Sequence, residues 1–114
     1  MTWKWSIYLA DLNPTIGSEQ RGRRPVLVVS DEGFNQLMPV VTVLPITSLK
    51  PGRHTYPNET LLEAGVGGLD ATSLVLALQI RTISRERLVV HLGIITDEGI
   101  RSQVMDALRV HLNL

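Results

Sequence analysis

The chain has 114 residues, 44% of them apolar, and its 11 Lys+Arg are matched by 11 Asp+Glu for a formal net charge of zero. That is one domain's length with enough apolar side chains for a single modest core, which excludes a disordered segment, while the charge balance excludes steering to nucleic acid by whole-molecule charge and leaves only a local basic face. The absence of cysteine removes disulfides, thiolate nucleophiles and Cys-type zinc sites, and no apolar run approaches the roughly 18 residues of a membrane span.

We treat 1–114 as one domain, since no internal repeat or low-complexity tract interrupts it. The opening residues Met1 to Trp5 lead into a strand-like stretch without a small-residue cleavage site, so no secretory leader is expected and the cytosol is the expected compartment. Ser6 to Leu9 has strand character, and Pro25 to Ser30 is an unbroken apolar run that reads as a strand buried on both faces. Val40 to Ile46 is β-branched, with Pro45 arguing for an edge position or a bulge. Glu59 to Leu62, Ser73 to Leu78 and Leu88 to Leu92 complete the strands. Turn signals separate them at Asn13-Pro14, Asp31-Glu32-Gly33, Pro51-Gly52, Pro57-Asn58 and Gly65 to Gly68. A short helical turn at Ser84 to Arg87, capped by Ser84, precedes the last strand. From Asp97 onward Ile100, Val104, Ala107, Leu108 and Leu112 form one apolar stripe of a helix that Thr96 can cap. Closely spaced strands with one such helix predict a mainly β protein, a small barrel or sandwich.

The three histidines, His54, His91 and His111, stand too far apart for any local metal-ligand pairing, so neither a metal nor another cofactor is expected. His91 reads as packing on a strand and His111 as complementing a helix C-terminus. The densest polar segment, Gly17 to Pro25, places Glu19, Gln20, Arg21, Arg23 and Arg24 in a loop anchored by a buried strand. Arginine's planar fork matches the oxygens of a phosphodiester, and Pro25 forces Arg24 into an extended conformation at the strand mouth. The competing reading is a solvated charged loop. Thr47, in Pro45-Ile46-Thr47-Ser48, closes the next strand and comes within reach of the loop carrying Arg24 in a sheet whose second and third strands are neighbours, although a strand-end Thr commonly caps its own backbone. In Gln79-Ile80-Arg81-Thr82-Ile83-Ser84 the period of two sets Gln79, Arg81 and Ile83 on one face, with Arg81 pairing with a carboxylate or facing a shared groove. The glycine run Gly65-Val66-Gly67-Gly68 lacks the Lys-Ser/Thr and the strand-to-helix setting of a phosphate cradle, and reads as a loop.

These stretches together resemble the MazF/PemK family of toxin endoribonucleases. The resemblance runs through Tyr8 to Gln20, Gly22 to Ser30, Pro45 to Ser48 and Gln79 to Thr82, and ends in the acidic-start helix with Ala107-Leu108-Arg109. It implies an SH3-like small β-barrel of the MazF/PemK/CcdB type with a C-terminal helix packed on it. It further implies a homodimer with single-stranded RNA across the subunit groove, a cognate antitoxin protein as partner, and DNA contact only through the antitoxin complex. The implied activity is metal-independent: the 2′-hydroxyl attacks the adjacent phosphorus, leaving a 2′,3′-cyclic phosphate and a 5′-hydroxyl. Carried over by position, Arg24 matches the family's catalytic arginine and Thr47 its catalytic threonine. Glu19 matches the acid of the Ser-Glu-Gln motif, as base or as the group that orients Arg24. Gln20, Arg21, Arg23, Ser48, Gln79 and Arg81 are the expected RNA-binding neighbours, joined by Arg53 and His54 from a loop facing the groove. The loops Asp31 to Met38 and Lys50 to Asn58 would set the RNA sequence preference.

The chain departs from the family pattern in two places. Leu78 stands where many members carry an acid before the Gln of Gln-Ile-Arg-Thr, and Trp5-Ser6 replaces the usual Gly-Asp or Gly-Glu before the first strand. The tryptophans read as core cover, a dimer contact or a base-stacking surface. A catalytically silent binding module is the alternative function. A gyrase-poison toxin is a further one, which the His111-Leu112-Asn113-Leu114 terminus does not favour.

Overall fold

A computed structural model describes residues 2–114. Among these, seven strands and two α-helices follow one another: β1 (Ser6–Asp11), β2 (Arg23–Val28), α1 (Glu32–Leu37), β3 (Val40–Ser48), β4 (Glu59–Leu62), β5 (Ser73–Leu76), β6 (Arg81–Ser84), β7 (Leu88–Ile94) and α2 (Glu98–Leu112). The strands form one antiparallel sheet in the order β4-β5-β3-β2-β1-β7, with β6 joined to β3. This is the mainly β architecture with a C-terminal helix that the strand spacing predicts. Hydrogen bonds do not close the sheet. Instead the 3-10 turn Val66–Gly68, which follows β4, packs onto β7: a Cβ built on Gly68 would stand 2.1 Å from the Leu92 carbonyl oxygen. The Gly65 to Gly68 run is therefore a packing device at the seam of a barrel-like fold.

Both faces of the sheet are buried, as the unbroken run in β2 requires. Leu27 and Val29 join Ile7, Leu44, Ile46, Val75 and Ile95 in a cluster covered by Val104, Ala107 and Leu108 of α2. Val26 and Val28 face the other way, with Tyr8, Ala10, Leu12, Val41, Val43 and Ile83. Burying side chains of this size is worth about 1.5–3 kcal/mol each against exposure, and that burial dictates which residues of β2 and β3 are left to project at the strand ends. Trp5 packs against the first cluster and Trp3 against the second, so both tryptophans act as core cover.

Four local expectations are revised. Pro45 lies in the central strand, not at an edge. The far side of β3 passes from β6, paired through Val43, to β5, paired from Ile46, and the residue lacking an N–H stands at that break. The segment Asp31 to Met38 is not a loop: it contains α1, with Asp31 Oδ2 accepting from Phe34 N–H at 3.2 Å. Glu32 binds that helix to the N-terminal segment by accepting from the N–H groups of Trp3 and Lys4 at 3.0 and 2.8 Å. Burial works to raise its pKa, but these donors and the Gln36 and Asn35 amides outweigh it and hold the carboxyl at about 2. Helix α2 is capped by Asp97, whose Oδ1 accepts from Ile100 N–H at 2.9 Å, rather than by Thr96. Finally, β5 ends at Leu76 and a 3-10 turn, Ala77–Gln79, breaks the alternation before β6, so Gln79 does not share a strand face with Arg81 and Ile83. The Ser84-capped turn occurs as expected, with the hydroxyl accepting from Glu86 N–H at 3.3 Å.

Candidate active site

The mouth of the sheet forms where β2 begins and β3 ends. Their ladder pairs Val26 with Pro45, Leu27 with Leu44 and Val28 with Val43. The ladder ends at the Val26–Pro45 pair. Beyond it Arg24 pairs with Ala10 of β1, and Thr47 with Leu74 of β5. Each lies two residues past that last pair, so by the alternation of strands both belong to the face whose interior holds Val26 and Val43, at its open end.

Arg24 is half-buried, and its Nε–H donates to the Arg21 carbonyl at 2.9 Å. Among the described residues Nη1 and Nη2 have no protein partner, which leaves a two-pronged donor aimed by a backbone anchor. The Thr47 hydroxyl likewise makes no hydrogen bond among the described residues. Arg21 and Arg23 are exposed beside it. Glu19 Oε1 accepts from Ile16 N–H at 2.7 Å and closes its own loop. The Arg21 carbonyl, not Glu19, orients Arg24.

Gln79 and Arg81, expected as RNA ligands, hold this loop from behind. Gln79 Nε2–H donates to the Ser18 carbonyl at 3.2 Å and its Oε1 accepts from Gln20 N–H at 3.4 Å. Arg81 Nη1–H donates to the Leu12 carbonyl at 3.3 Å instead of meeting a carboxylate. Gln20 Oε1 is buried without a partner. Ser48 falls on the opposite face from Thr47, in a cleft with Leu9, Pro25 and Asp70, because neighbours on a strand alternate sides. Leu78 is 45% exposed on the turn before β6, so no carboxylate occupies the position where the family pattern has an acid. His54 is exposed, while His91 lies on β7 edge-on to Tyr8 with ring centroids 5.0 Å apart.

Arg53 has a structural task as well. Its two Nη groups meet the Glu59 carboxylate at 2.9 and 2.7 Å, and the Glu59 side chain is 0% exposed. The hydrogen bonds from Arg53 lower the Glu59 pKa against the opposing effect of burial, with help from Tyr56 N–H. A carboxyl held below its unfolded value stabilises the fold above that value and loses the contribution as pH falls through the folded one. Glu59→Gln is accordingly expected to cost about 2 kcal/mol at neutral pH, less than the roughly 3–5 kcal/mol of a fully buried pair because Arg53 is partly in water. The difference in melting temperature between wild type and variant should narrow steadily as pH falls below the ordinary carboxylate range and Glu59 protonates in the fold.

The charges are segregated. Among the described residues, the ion pairs use Arg53, Arg101 and Arg109. Arg21, Arg23, Arg24, Arg81 and Arg87 gather unpaired around the β1–β2 loop, forming the local basic face that a neutral chain still permits. No group of three or more His, Cys, Asp or Glu among the described residues could hold a metal ion. No described helix is long and apolar enough to cross a membrane. Sequence reasoning missed Arg87, since nothing in Arg85-Glu86-Arg87 distinguishes it from a solvated turn.

Fold and mouth define a small barrel-like β protein with unpaired guanidinium donors and a free hydroxyl at one end of its sheet. The model of the PemK-like, MazF-like toxins of type II toxin–antitoxin systems matches residues 4–112. Endoribonuclease EndoA of Bacillus subtilis is 36% identical over 111 residues, which cover 95% of this chain and 91% of that protein. The solved structure of MazF from Deinococcus radiodurans is similar at a TM-score of 0.80 and 28% identity, covering 97% of this chain and 96% of that one. A mycobacterial endoribonuclease solved in complex with its cognate antitoxin shares the fold, at a TM-score of 0.81 and 24% identity over 100% of this chain and 97% of that one. The chain belongs to the PemK-like, MazF-like toxin family.

Proposed function

We propose that this toxin is an endoribonuclease that cuts single-stranded RNA without a metal ion, and that Arg24 and Thr47 act on the scissile phosphodiester. The observation that carries this reading is the Arg24 guanidinium, fixed through Nε to the Arg21 carbonyl with both terminal nitrogens free among the described residues, at the end of the strand next to the one that carries Thr47. In the reaction the 2′-oxygen bonds to the adjacent phosphorus and loses its proton, while the bond to the 5′-oxygen breaks and that oxygen gains one. The products are a 2′,3′-cyclic phosphate and a 5′-hydroxyl. Negative charge grows on the non-bridging oxygens, where preorganised donors give the largest catalytic term. Glu19, the exposed carboxylate of the same loop, is the candidate acceptor of the 2′-hydroxyl proton.

Arg21 and Arg23 extend the cationic track for neighbouring phosphates, and the exposed His54 and Tyr56 offer stacking faces for unpaired bases. In this reading the working unit is a homodimer. A groove of about 660 Å³ lined by Val29, Ile80, Met105, Leu108, Leu112 and Leu114 is the surface a second copy covers. Inhibition falls to an antitoxin whose acidic or amphipathic segment complements the arginines, and DNA contact belongs to that complex alone.

The purified protein, given a single-stranded RNA in excess EDTA, should release discrete fragments ending in 2′,3′-cyclic phosphate and beginning with 5′-hydroxyl. Intact RNA under those conditions, or cutting only after a divalent ion is restored, overturns the reading.

A further inference from the structure

At the end of β1 the chain turns into the loop that carries Glu19, and its backbone carbonyls meet two guanidinium groups from a distant part of the sequence. Arg81 takes the Leu12 carbonyl, as described. Arg87 Nη1–H donates to the Asp11 carbonyl at 3.1 Å and also to the Asn13 carbonyl. Two further bonds close this neck on its other side: Leu12 N–H to the Gly22 carbonyl at 3.0 Å, and Gly22 N–H to Asn13 Oδ1 at 3.1 Å. The residues that leave the neck at Gly22 are Arg23 and Arg24. Arg87 is also adjacent in sequence to Leu88, which pairs with Ala10, and Ala10 pairs on its other side with Arg24. Arg87 is thus tied to Arg24 by a hydrogen-bonded neck and by one row of the sheet.

Two features set Arg87, like Arg81, apart from the paired arginines, and Arg87 differs from Arg81 in bridging two carbonyls of the neck. Among the described residues it forms no ion pair, whereas Arg53, Arg101 and Arg109 each meet a carboxylate. Its charge is balanced by carbonyl dipoles. In addition, the groups it holds are loop-neck carbonyls rather than core groups, so its loss leaves both apolar clusters intact.

We propose that Arg87 is a positioning residue for RNA cleavage: it fixes the neck so that the free Arg24 nitrogens and the Thr47 hydroxyl face the same point. This role rests on the ribonuclease reading above. A displacement of about 1 Å of a catalytic group costs up to about 100-fold in rate, so the neck is where a small slackening tells most.

The test compares the full-length protein with Arg87→Ala and Arg87→Lys on a single-stranded RNA oligomer. Thermal melting and the amide exchange of Leu12 and Gly22 are followed alongside. Arg87→Ala is expected to lower kcat by about 10-fold or more with KM changed by less than about threefold, consistent with misplacement rather than lost binding. Melting should shift only slightly, and Leu12 and Gly22 should exchange faster. Added methylguanidinium should restore part of kcat, and Arg87→Lys should fall between wild type and Ala, since an ammonium keeps the charge but not the planar fork. A folded Ala variant with kcat within about twofold of wild type, or with unchanged exchange at Leu12 and Gly22, overturns the proposal. Should the Ala variant not fold, the Lys variant decides on the same two readouts. If the unmodified protein cuts no RNA, the ribonuclease reading itself has failed, an outcome visible before any variant is made.

Discussion

Arg24→Ala is expected to reduce RNA cleavage by about 10²- to 10³-fold, the loss typical of removing one preorganised donor from a developing oxyanion. The fold should tolerate the change. Arg24 is the second residue of β2, outside both apolar clusters, and its one side-chain hydrogen bond, to the Arg21 carbonyl, is in an exposed loop. Arg24→Lys should recover little, because an ammonium cannot keep the Nε anchor while offering two free donors in a plane. The check is kcat on a single-stranded RNA in EDTA beside a melting curve. An Ala variant that melts like wild type and cuts at the wild-type rate would falsify the assignment of Arg24 to the scissile phosphate. Loss of cutting together with loss of fold would point instead to a structural role.

Gly68→Ala should have the largest effect on stability of any single methyl added to this chain's turns. The φ of Gly68 is +80°, where an L side chain is strained by about 1–2 kcal/mol, and the new Cβ would stand 2.1 Å from the Leu92 carbonyl oxygen, a backbone atom that cannot rotate away. Overpacking typically adds a further 1–3 kcal/mol, so a total of about 2–5 kcal/mol and a melting temperature lower by roughly 10–20 °C are expected. Gly93 faces the same contact from the other side: its Cβ would approach the Gly67 carbonyl carbon to 2.5 Å. A Gly68→Ala protein that melts within about 3 °C of wild type would show that the turn after β4 does not seal the barrel against β7.

Much of the site was legible because its residues follow one another in strongly patterned segments. Arg24 sits between a cation-rich loop and a buried apolar run, and Thr47 ends a β-branched strand. Two strands that both need burial place such ends at a common mouth. The structural partners of Gln79, Arg81 and Arg53 were not legible, because they are distant in sequence or set by the fold: the Ser18 carbonyl, the Leu12 carbonyl and the buried Glu59 carboxylate. Helix α1 escaped notice for a related reason. Asp31-Glu32-Gly33 carries turn residues, and the helix depends on Asn35, buried against the Ser30 carbonyl, and on the Glu32 bonds to Trp3 and Lys4.

Alternation and helical periodicity alone determined the strands that carry burial and the C-terminal helix with its apolar stripe, since each is a property of neighbouring residues, and composition alone excluded thiol chemistry. Only the tertiary structure decided which arginines are neutralised, which are held by carbonyls and which remain free for an anion. A guanidinium's role is set by the nearest acceptor in space, and here that acceptor lies up to 76 positions away along the chain.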